Sequence, residues 1–543
     1  MSARGGSARA GSPAAVRTGR RYRAARLQGR YDAIVIGSGI GGLTTAACLA
    51  RLGQRVAVFE QHYTAGGFTH SYCRHGYEWD VGVHYIGDMG QAGTMGRRLF
   101  DYISDGSLQW APMDPAFDRI YLGERQFELV AGRPAYRDQL VAQFPGEAAA
   151  IDEYLRRMRA VKSWFRLLAV EKLLPGAAAS LARRQRQRRQ PPWMSMTTRA
   201  VLEELTGDQT LIAVLAGQWG DYGLPPARSS FVMHSMVALH YLHGGYYPVG
   251  GAWRIAASII PVIRSSGGEV FTYAAVEEIL LRRGRAAGVR LADGVCVEAA
   301  RVISDAGAIN TFGQLLPPAQ RPRYRSRLQQ VERSMASMCL YIGLRQDAQT
   351  LGLPRCNLWI YPSEHFEADI ARFDASPEAP LPLVYISFPS AKDPDFARRH
   401  PGRATIEIVA PGPYPWFSAW EDAPWGRRGA DYEALKEGLS RRLLECLFAK
   451  LPQLRGQIDY CELSTALSTA HFCRHGRGEI YGLNHDPARF EQRWLRPATD
   501  IPGLYLSGQD VMTCGVMGAM AGGVLAAVAA GGVGALRLAR LLS

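Results

Sequence analysis

Tyr31–Glu60 reads YDAIVIGSGIGGLTTAACLARLGQRVAVFE, and this stretch decides the fold. Ala33-Ile34-Val35-Ile36 is the unbroken apolar run of a strand buried on both faces. A glycine turn follows, Gly37-Ser38-Gly39-Ile40-Gly41-Gly42, then a helix over Leu43–Leu52 and a second strand over Val56–Phe59 ending on Glu60. This is a βαβ unit with G-x-G-x-x-G in its turn. Gly37 permits the tight turn, Gly39 lets backbone approach a pyrophosphate, and Gly42 lets the helix pack closely on the strand. The helix N-terminus offers free N–H groups and a partial positive charge to phosphates. Glu60 is placed to accept hydrogen bonds from a ribose. The pattern predicts an α/β fold with a doubly wound, Rossmann-like dinucleotide domain.

At 543 residues the chain is long enough for more than one domain, and 47% hydrophobic with 21% charged residues describes a globular protein. The nine cysteines form no C-x-x-C pairs and no His clusters, which argues against a metal site or a disulfide framework. Eight of the +14 net charges are arginines within residues 1–30, leaving +6 for the rest. No basic patch interleaved with aromatics points to nucleic acid. Residues 1–30 lack the apolar core of a secretory signal and read as a disordered basic leader or an organelle transit peptide.

After Glu60 and Gln61, the adjacent Gly66 and Gly67 suit close backbone approach to a ligand. Asp80–Gly87 (DVGVHYIG) carries His84, which reads either as a structural or as a functional histidine. Residues 144–210 read as mostly helical. There Trp164, Phe165, Leu167, Leu168, Leu173 and Leu174 precede the arginine run Leu181–Gln190 and Trp193, a composition that suits either an anionic membrane surface or a solvated loop. Val270–Val276 reads as a strand, followed by a β-meander through Leu291, and Val302–Gly307 as a buried strand ending in small residues. Val511–Leu536 has no charge, but its glycine and alanine content suits tight packing against a sheet and a cofactor better than a membrane span.

The motifs IGSGIGGL (36–43), EQHYTAGG (60–67), DVGVHYIG (80–87), GGYYPVGG (244–251), ISDAGAINTF (303–312) and LSGQDVMTCGVMGA (506–519) carry a resemblance. From about Asp32 to Ala527 the chain resembles the retinol saturase family, within the phytoene desaturase and carotenoid isomerase group of flavoproteins. The resemblance implies FAD. Gly37, Gly39, Gly41 and Gly42, with Ser38 and Ile40 in the same turn, would hold the pyrophosphate. Glu60, beside Gln61, would hold the adenosine ribose, and Gly66 and Gly67 would lie along the cofactor. Val276 would touch the adenine, and Asp510 after Gly508 would approach the ribitol–pyrophosphate region. The helix from Gly515–Gly518 would point its N-terminus at the flavin. Phe68-Thr69 replaces a cysteine pair of the animal members, and the N-terminus lacks their apolar leader.

The implied chemistry is saturation of one carbon–carbon double bond in a lipophilic polyene by hydride transfer plus protonation. An unpolarised polyene accepts hydride poorly, so an acid must stand beside the flavin. His84, Tyr85 and Tyr247 are the candidates, with Tyr246 as a wall residue. With one nucleotide-binding unit, reduction of the flavin would come from transiently bound NAD(P)H, another electron donor, or the substrate itself. Desaturation, isomerisation, a non-catalytic prenyl-lipid carrier and an amine-oxidase-like flavoprotein are the alternatives. The expected domains are 31–110, 240–310 and 495–543 for FAD, with 111–239 and 311–494 forming the substrate region. Expected partners are a lipophilic small molecule and a membrane surface contacted through about 164–194. The expected location is peripheral membrane or cytoplasmic, or an organelle if the leader is a transit peptide.

Overall fold

A computed structural model describes residues 16–542. Its nucleotide-binding half is a parallel sheet of six strands in the order Arg20–Arg21, Glu269–Thr272, Val56–Phe59, Ala33–Ile36, Val302–Ser304 and Leu504–Leu506. Alternate side chains enter two separate cores. Ile34, Ile36, Phe59, Phe271 and Val302 pack on one face, and Val35, Val56, Val58, Val270 and Ile303 on the other. Burial on both faces is why these strands are unbroken apolar runs. Helices Ile40–Ala50, Trp253–Arg264 and Gly515–Gly531 cover the second face.

The C-terminal helix packs by backbone. A Cβ on Gly522 would fall 2.1 Å from the Gly508 carbonyl oxygen, and one on Gly523 would fall 2.5 Å from that of Gly41. Small residues therefore serve close packing here. The helix stops at Gly531 before Gly532, whose φ is +75°. No helix of the described residues is long and apolar enough to cross a membrane.

Three local expectations change. The leader was expected to be disordered through residue 30, yet Arg20–Arg21 pairs with Phe271–Thr272 and Thr18 is buried against Thr64 and Ala65. The edge of a parallel sheet supplies the backbone partners that composition alone does not reveal. The rest of that expectation, residues 1–15, lies outside the described residues. Val270–Val276 is two strands, not one. The chain turns at Tyr273, whose φ is +55°, and Val276–Arg282 opens an antiparallel three-stranded sheet with Arg285–Leu291 and Cys296–Glu298. The arginine run is a helix, Gly176–Arg189, in which Arg183 and Arg186 are buried against Glu491 and Glu171. Trp164, Phe165, Leu168 and Trp193 belong to the core, while Leu167, Val170 and Leu181 remain exposed.

The second half is a mixed seven-stranded sheet in the order Ile458–Ser464, Ser337–Leu344, Ala404–Pro411, Val384–Ser387, Asn357–Tyr361, Ala116–Leu122 and Arg125–Val130. Its even-numbered side chains Met338, Leu340, Ile342, Ile386, Ile406 and Ile408 form a core with helix Ala430–Lys450. Its odd-numbered face carries Cys339, Tyr341, Trp359, Tyr385 and Val409 onto the wall of one large cavity.

Candidate active site

This cavity, about 630 Å³, runs from the glycine turn to the odd face of the mixed sheet. At one end Gly37, Gly39, Ile40, Gly41, Glu60, Gln61, Gly67, Val276 and Asp510 line it, as do Gly515 and Val516 at the start of the C-terminal helix. Gly37 has φ +91°, the turn conformation that favours glycine. A Cβ on Gly41 would fall 2.5 Å from both Gly508 Cα and Asp305 Oδ1, and one on Gly67 would fall 2.9 Å from Gly39 Cα. Such a cradle of bare backbone at a helix N-terminus fits a dinucleotide pyrophosphate. Glu60 Oε2 accepts from Ser38 N at 2.9 Å and Ser38 Oγ at 2.8 Å, and Oε1 accepts from His62 N at 2.8 Å. A carboxylate has about four acceptor sites, so capacity remains for a ribose.

Other expected cofactor residues shape this end without lining it. Ser38 braces Glu60 and the Gly66 N–H, Gly42 packs on the Gly37 carbonyl, and Gly518 packs on Thr513. Gly508 sits against Asp305 and Gly522. Asp510 accepts from Ala308 N at 2.7 Å and Leu483 N at 3.3 Å, tying two loops of the wall together.

Asp305 was missed. Burial, together with the charges of Glu60 and Asp510, pushes its carboxyl up to about 8 against the pull of the Gly42 N–H. The acid is therefore neutral at pH 7, and it sits in the cradle without repelling phosphate.

The other end of the cavity is an acid–base chamber. His84 lines it, with its side chain 17% exposed, and its Nδ1 lies 2.9 Å from Glu407 Oε2. Glu407 is wholly buried and accepts from Asp80 N at 2.8 Å. Burial disfavours charge on both partners. It holds His84 down at about 3, with Lys392 adding to the effect, and it raises Glu407 to about 8 against Asp80 N–H and Lys392. This favours the shared proton on Glu407, and a neutral His84 that accepts at Nδ1 carries its own proton on Nε2. Lys392 Nζ donates to the His84 carbonyl at 3.0 Å, to Ser387 Oγ at 2.9 Å and to Asn357 Oδ1.

Tyr85 and Tyr247 do not reach the cavity wall. Tyr247 donates to Asp80, and Tyr85 donates toward Asp118 and Asp221. Alternation with His84 along extended chain turns Tyr85 into the packing behind the wall. Tyr246 is likewise off the wall and pairs with Pro112 and Ile86. Glu407 carries no motif, and Lys392 falls in FPSAKDP (388–394), a stretch of the resemblance with no role attached to it. The only signal in the sequence was a glutamate inside an apolar strand, ATIEIVAP, where an unpaired charge is costly.

Sheet, cradle and chamber together define a two-part dinucleotide-binding oxidoreductase. The profile of the NAD(P)-binding Rossmann-like domain matches residues 35–103. Among solved structures, wild-type putrescine oxidase bound to putrescine aligns with a TM-score of 0.60 at 15% identity, over 93% of this chain and 99% of that one. The all-trans-retinol 13,14-reductase of Danio rerio is 37% identical over 522 residues, 92% of this chain and 86% of the relative. That of Homo sapiens is 36% identical over 525 residues, 93% and 86% of the two chains. The chain belongs to the all-trans-retinol 13,14-reductase family.

Proposed function

We propose that this chain is an FAD-dependent oxidoreductase that saturates one carbon–carbon double bond of a lipophilic polyene of the retinol or carotenoid class. One observation carries the reading: a single cavity joins the dinucleotide cradle to an aromatic wall at which one acid pair, His84–Glu407, presents a proton. Gly37, Gly39, Gly41, Gly67 and the N-terminus of helix Gly515–Gly531 would hold FAD, with Glu60 on its ribose. FAD held there would, when reduced, supply hydride chemistry for one carbon of the double bond. His84 Nε2–H gives its proton to the other carbon while the Glu407 proton moves to Nδ1. The product gains two hydrogens, and the pair is left as neutral histidine and carboxylate. Asp80 N–H and the Lys392 cation stabilise that carboxylate, so the charge created has partners in place before the reaction. Phe68, Trp359, Tyr385 and Tyr481 supply the apolar wall and keep water from the reacting carbon. The described residues hold one glycine-turn βαβ unit. A visiting two-electron donor such as NAD(P)H would supply the reducing equivalents.

The polyene is drawn from a membrane surface. Leu167, Val170 and Leu181 are 49%, 52% and 59% exposed on the packed helices Ala148–Leu173 and Gly176–Arg189. Lys162, Arg166, Arg184, Arg188 and Arg189 are exposed on the same pair and complement an anionic bilayer. The triple variant Leu167→Ser, Val170→Ser and Leu181→Ser should bind anionic liposomes several-fold more weakly. Unchanged binding removes this docking face.

The decisive test is anaerobic incubation of the FAD-reconstituted, dithionite-reduced protein with all-trans-retinol or a carotenoid, followed by product mass. A product two mass units heavier, formed as the flavin reoxidises, supports saturation. A product of unchanged mass with flavin still reduced makes the protein an isomerase, and a protein that never retains FAD returns it to the carrier class.

A further inference from the structure

A second, smaller pocket lies apart from the main cavity, and the saturation step does not use it. It measures about 110 Å³. Three elements meet there: the end of helix Ala148–Leu173, the start of helix Gly176–Arg189 and the segment 490–496. Four cationic side chains line it, Lys172, Arg183, Arg493 and Arg496, against one acid, Glu171. Glu171 is already paired, its Oε2 accepting from Arg186 Nε at 2.8 Å. Arg183 is likewise spent on Glu491. Lys172, Arg493 and Arg496 have no acidic partner among the described residues. Lys172 Nζ donates to the Leu495 carbonyl and Arg496 Nη2 to that of Leu174. Arg496 Nε and Arg186 Nη2 are buried and have no hydrogen-bond partner among the described residues.

Such an arrangement is costly when empty of negative charge. Burial, and then the charge of Arg489 with those of Arg186 and Arg496, pushes Lys172 down to about 7. Cations that crowd one another out of water and keep free donors call for an anion. The backbone adds to the same field. Gly176, Ala179 and Ser180, at the start of helix Gly176–Arg189, line the pocket, and the N-cap Pro175 brings no side-chain acceptor to that turn. Size and donors set the ligand. The pocket suits one phosphoryl group rather than a nucleotide, and Phe490, its one aromatic lining residue, already packs on Trp164. A phosphomonoester carries about −1.5 to −2 charges at pH 7 and three acceptor oxygens, which match three unpaired cations. The source follows from position. Leu168 and Ser180 on the pocket wall are chain neighbours of the exposed Leu167 and Leu181.

We propose that this pocket binds the phosphate of a phosphomonoester lipid headgroup at a bilayer surface. This assignment rests on the docking reading above, which brings a bilayer to these two helices, and not on the saturation chemistry. The apolar side chains would enter the bilayer while Lys172, Arg493 and Arg496 take the headgroup.

The test uses the FAD-loaded protein, so that the dinucleotide cradle, the other anion site, is filled. Inorganic phosphate is titrated by calorimetry at constant ionic strength. Binding is also measured to phosphatidylcholine vesicles carrying either phosphatidic acid, a phosphomonoester, or phosphatidylserine at matched surface charge. The wild type should bind phosphate saturably and prefer the phosphatidic acid vesicles by about ten-fold, and free phosphate should remove that preference. Lys172→Gln and Arg493→Gln should each weaken phosphate binding by about ten-fold and reduce the preference. Arg493 is exposed, so Arg493→Gln keeps the fold. Arg184→Gln removes an equal charge from the same helix pair outside the pocket, and should leave phosphate binding and the preference unchanged. Absence of saturable phosphate binding, or equal weakening by Arg184→Gln and Arg493→Gln, overturns the pocket. Phosphate binding that Arg493→Gln weakens, with equal binding to both vesicles, overturns the lipid source and leaves a soluble phosphate as the ligand. The same phosphate binding with no binding to either vesicle breaks the docking reading and keeps the anion pocket.

Discussion

The cradle and the chamber are two ends of one cavity, built by opposite means. The cradle is backbone. Its defining atoms come from consecutive residues, Gly37 to Gly42, plus Gly67 and Gly508, and its chemistry is the absence of side chains at each close approach. The chamber is side chains. His84, Glu407, Lys392, Asp118 and Asp221 come from five separate stretches, and the mixed sheet brings them together. The cradle binds by letting a ligand near. The chamber works by holding ionisable groups largely out of water, so burial pushes its carboxyls upward, Glu407 to about 8.

The largest effect should come from the chamber. His84→Ala and Glu407→Gln should each lower the rate of polyene saturation by about 10²- to 10⁴-fold while retaining bound flavin, as steady-state rates and the flavin spectrum will show. Retention of full turnover by either would merge the two regions into one cofactor site with an incidental wall.

In the cradle, Gly41→Val should weaken FAD binding by about a hundred-fold, roughly 3 kcal/mol, since its Cβ meets backbone that cannot retreat. Titration of the apoprotein with FAD measures this, and a normal affinity would mean that the cradle is looser than its contacts imply.

The cradle has one titratable exception, Asp305. Its affinity for FAD should fall several-fold as pH rises through about 8 and the carboxyl ionises near the pyrophosphate. Asp305→Asn should remove that dependence. A wild-type affinity flat from pH 6 to 9 would separate Asp305 from the ligand.

The smallest effect concerns stability. Glu407 keeps a proton in the folded chain up to about pH 8, whereas the unfolded chain releases it near the ordinary value of about 4.3. The stabilisation by the protonated form is full below that value and is lost as pH rises toward 8. The difference in Tm between wild type and Glu407→Gln should therefore shrink, or turn against the wild type, from pH 5 to 8. The underlying slope is at most about 1.4 kcal/mol per pH unit. Comparing the two proteins cancels the opposing slope from buried Lys172, which has no contact with the pair. A constant difference would place an ionised Glu407 in the fold.

This contrast also explains what could be read from the chain. Unbroken apolar runs, the glycine turn and the terminal Glu60 are local patterns, and the parallel sheet and cradle follow from them. His84 stood out because it lies in a segment of small residues close to the cradle in sequence. Glu407 and Asp221 did not, because pairing Tyr341 with Glu407 across strands 66 residues apart leaves no local trace. Tyr85 lies behind the wall because alternation along an extended chain decides which of two neighbours meets the cavity, and Tyr247 lies behind it because its hydroxyl is turned to Asp80. The buried Arg183 and Arg186 hid in a run that composition reads as solvated, because their partners Glu491 and Glu171 lie on other elements.

The central claim is that the Glu407 proton reaches the polyene through His84 as reduced flavin gives up its hydride. The most direct measurement is a single turnover from reduced, FAD-loaded protein mixed with the polyene, followed by flavin absorbance across pH in wild type and Glu407→Gln. The account predicts flavin reoxidation that slows as pH rises through about 8 in the wild type and is slow at every pH in the variant. Reoxidation at the same rate in both proteins, or independent of pH from 6 to 9, would contradict it.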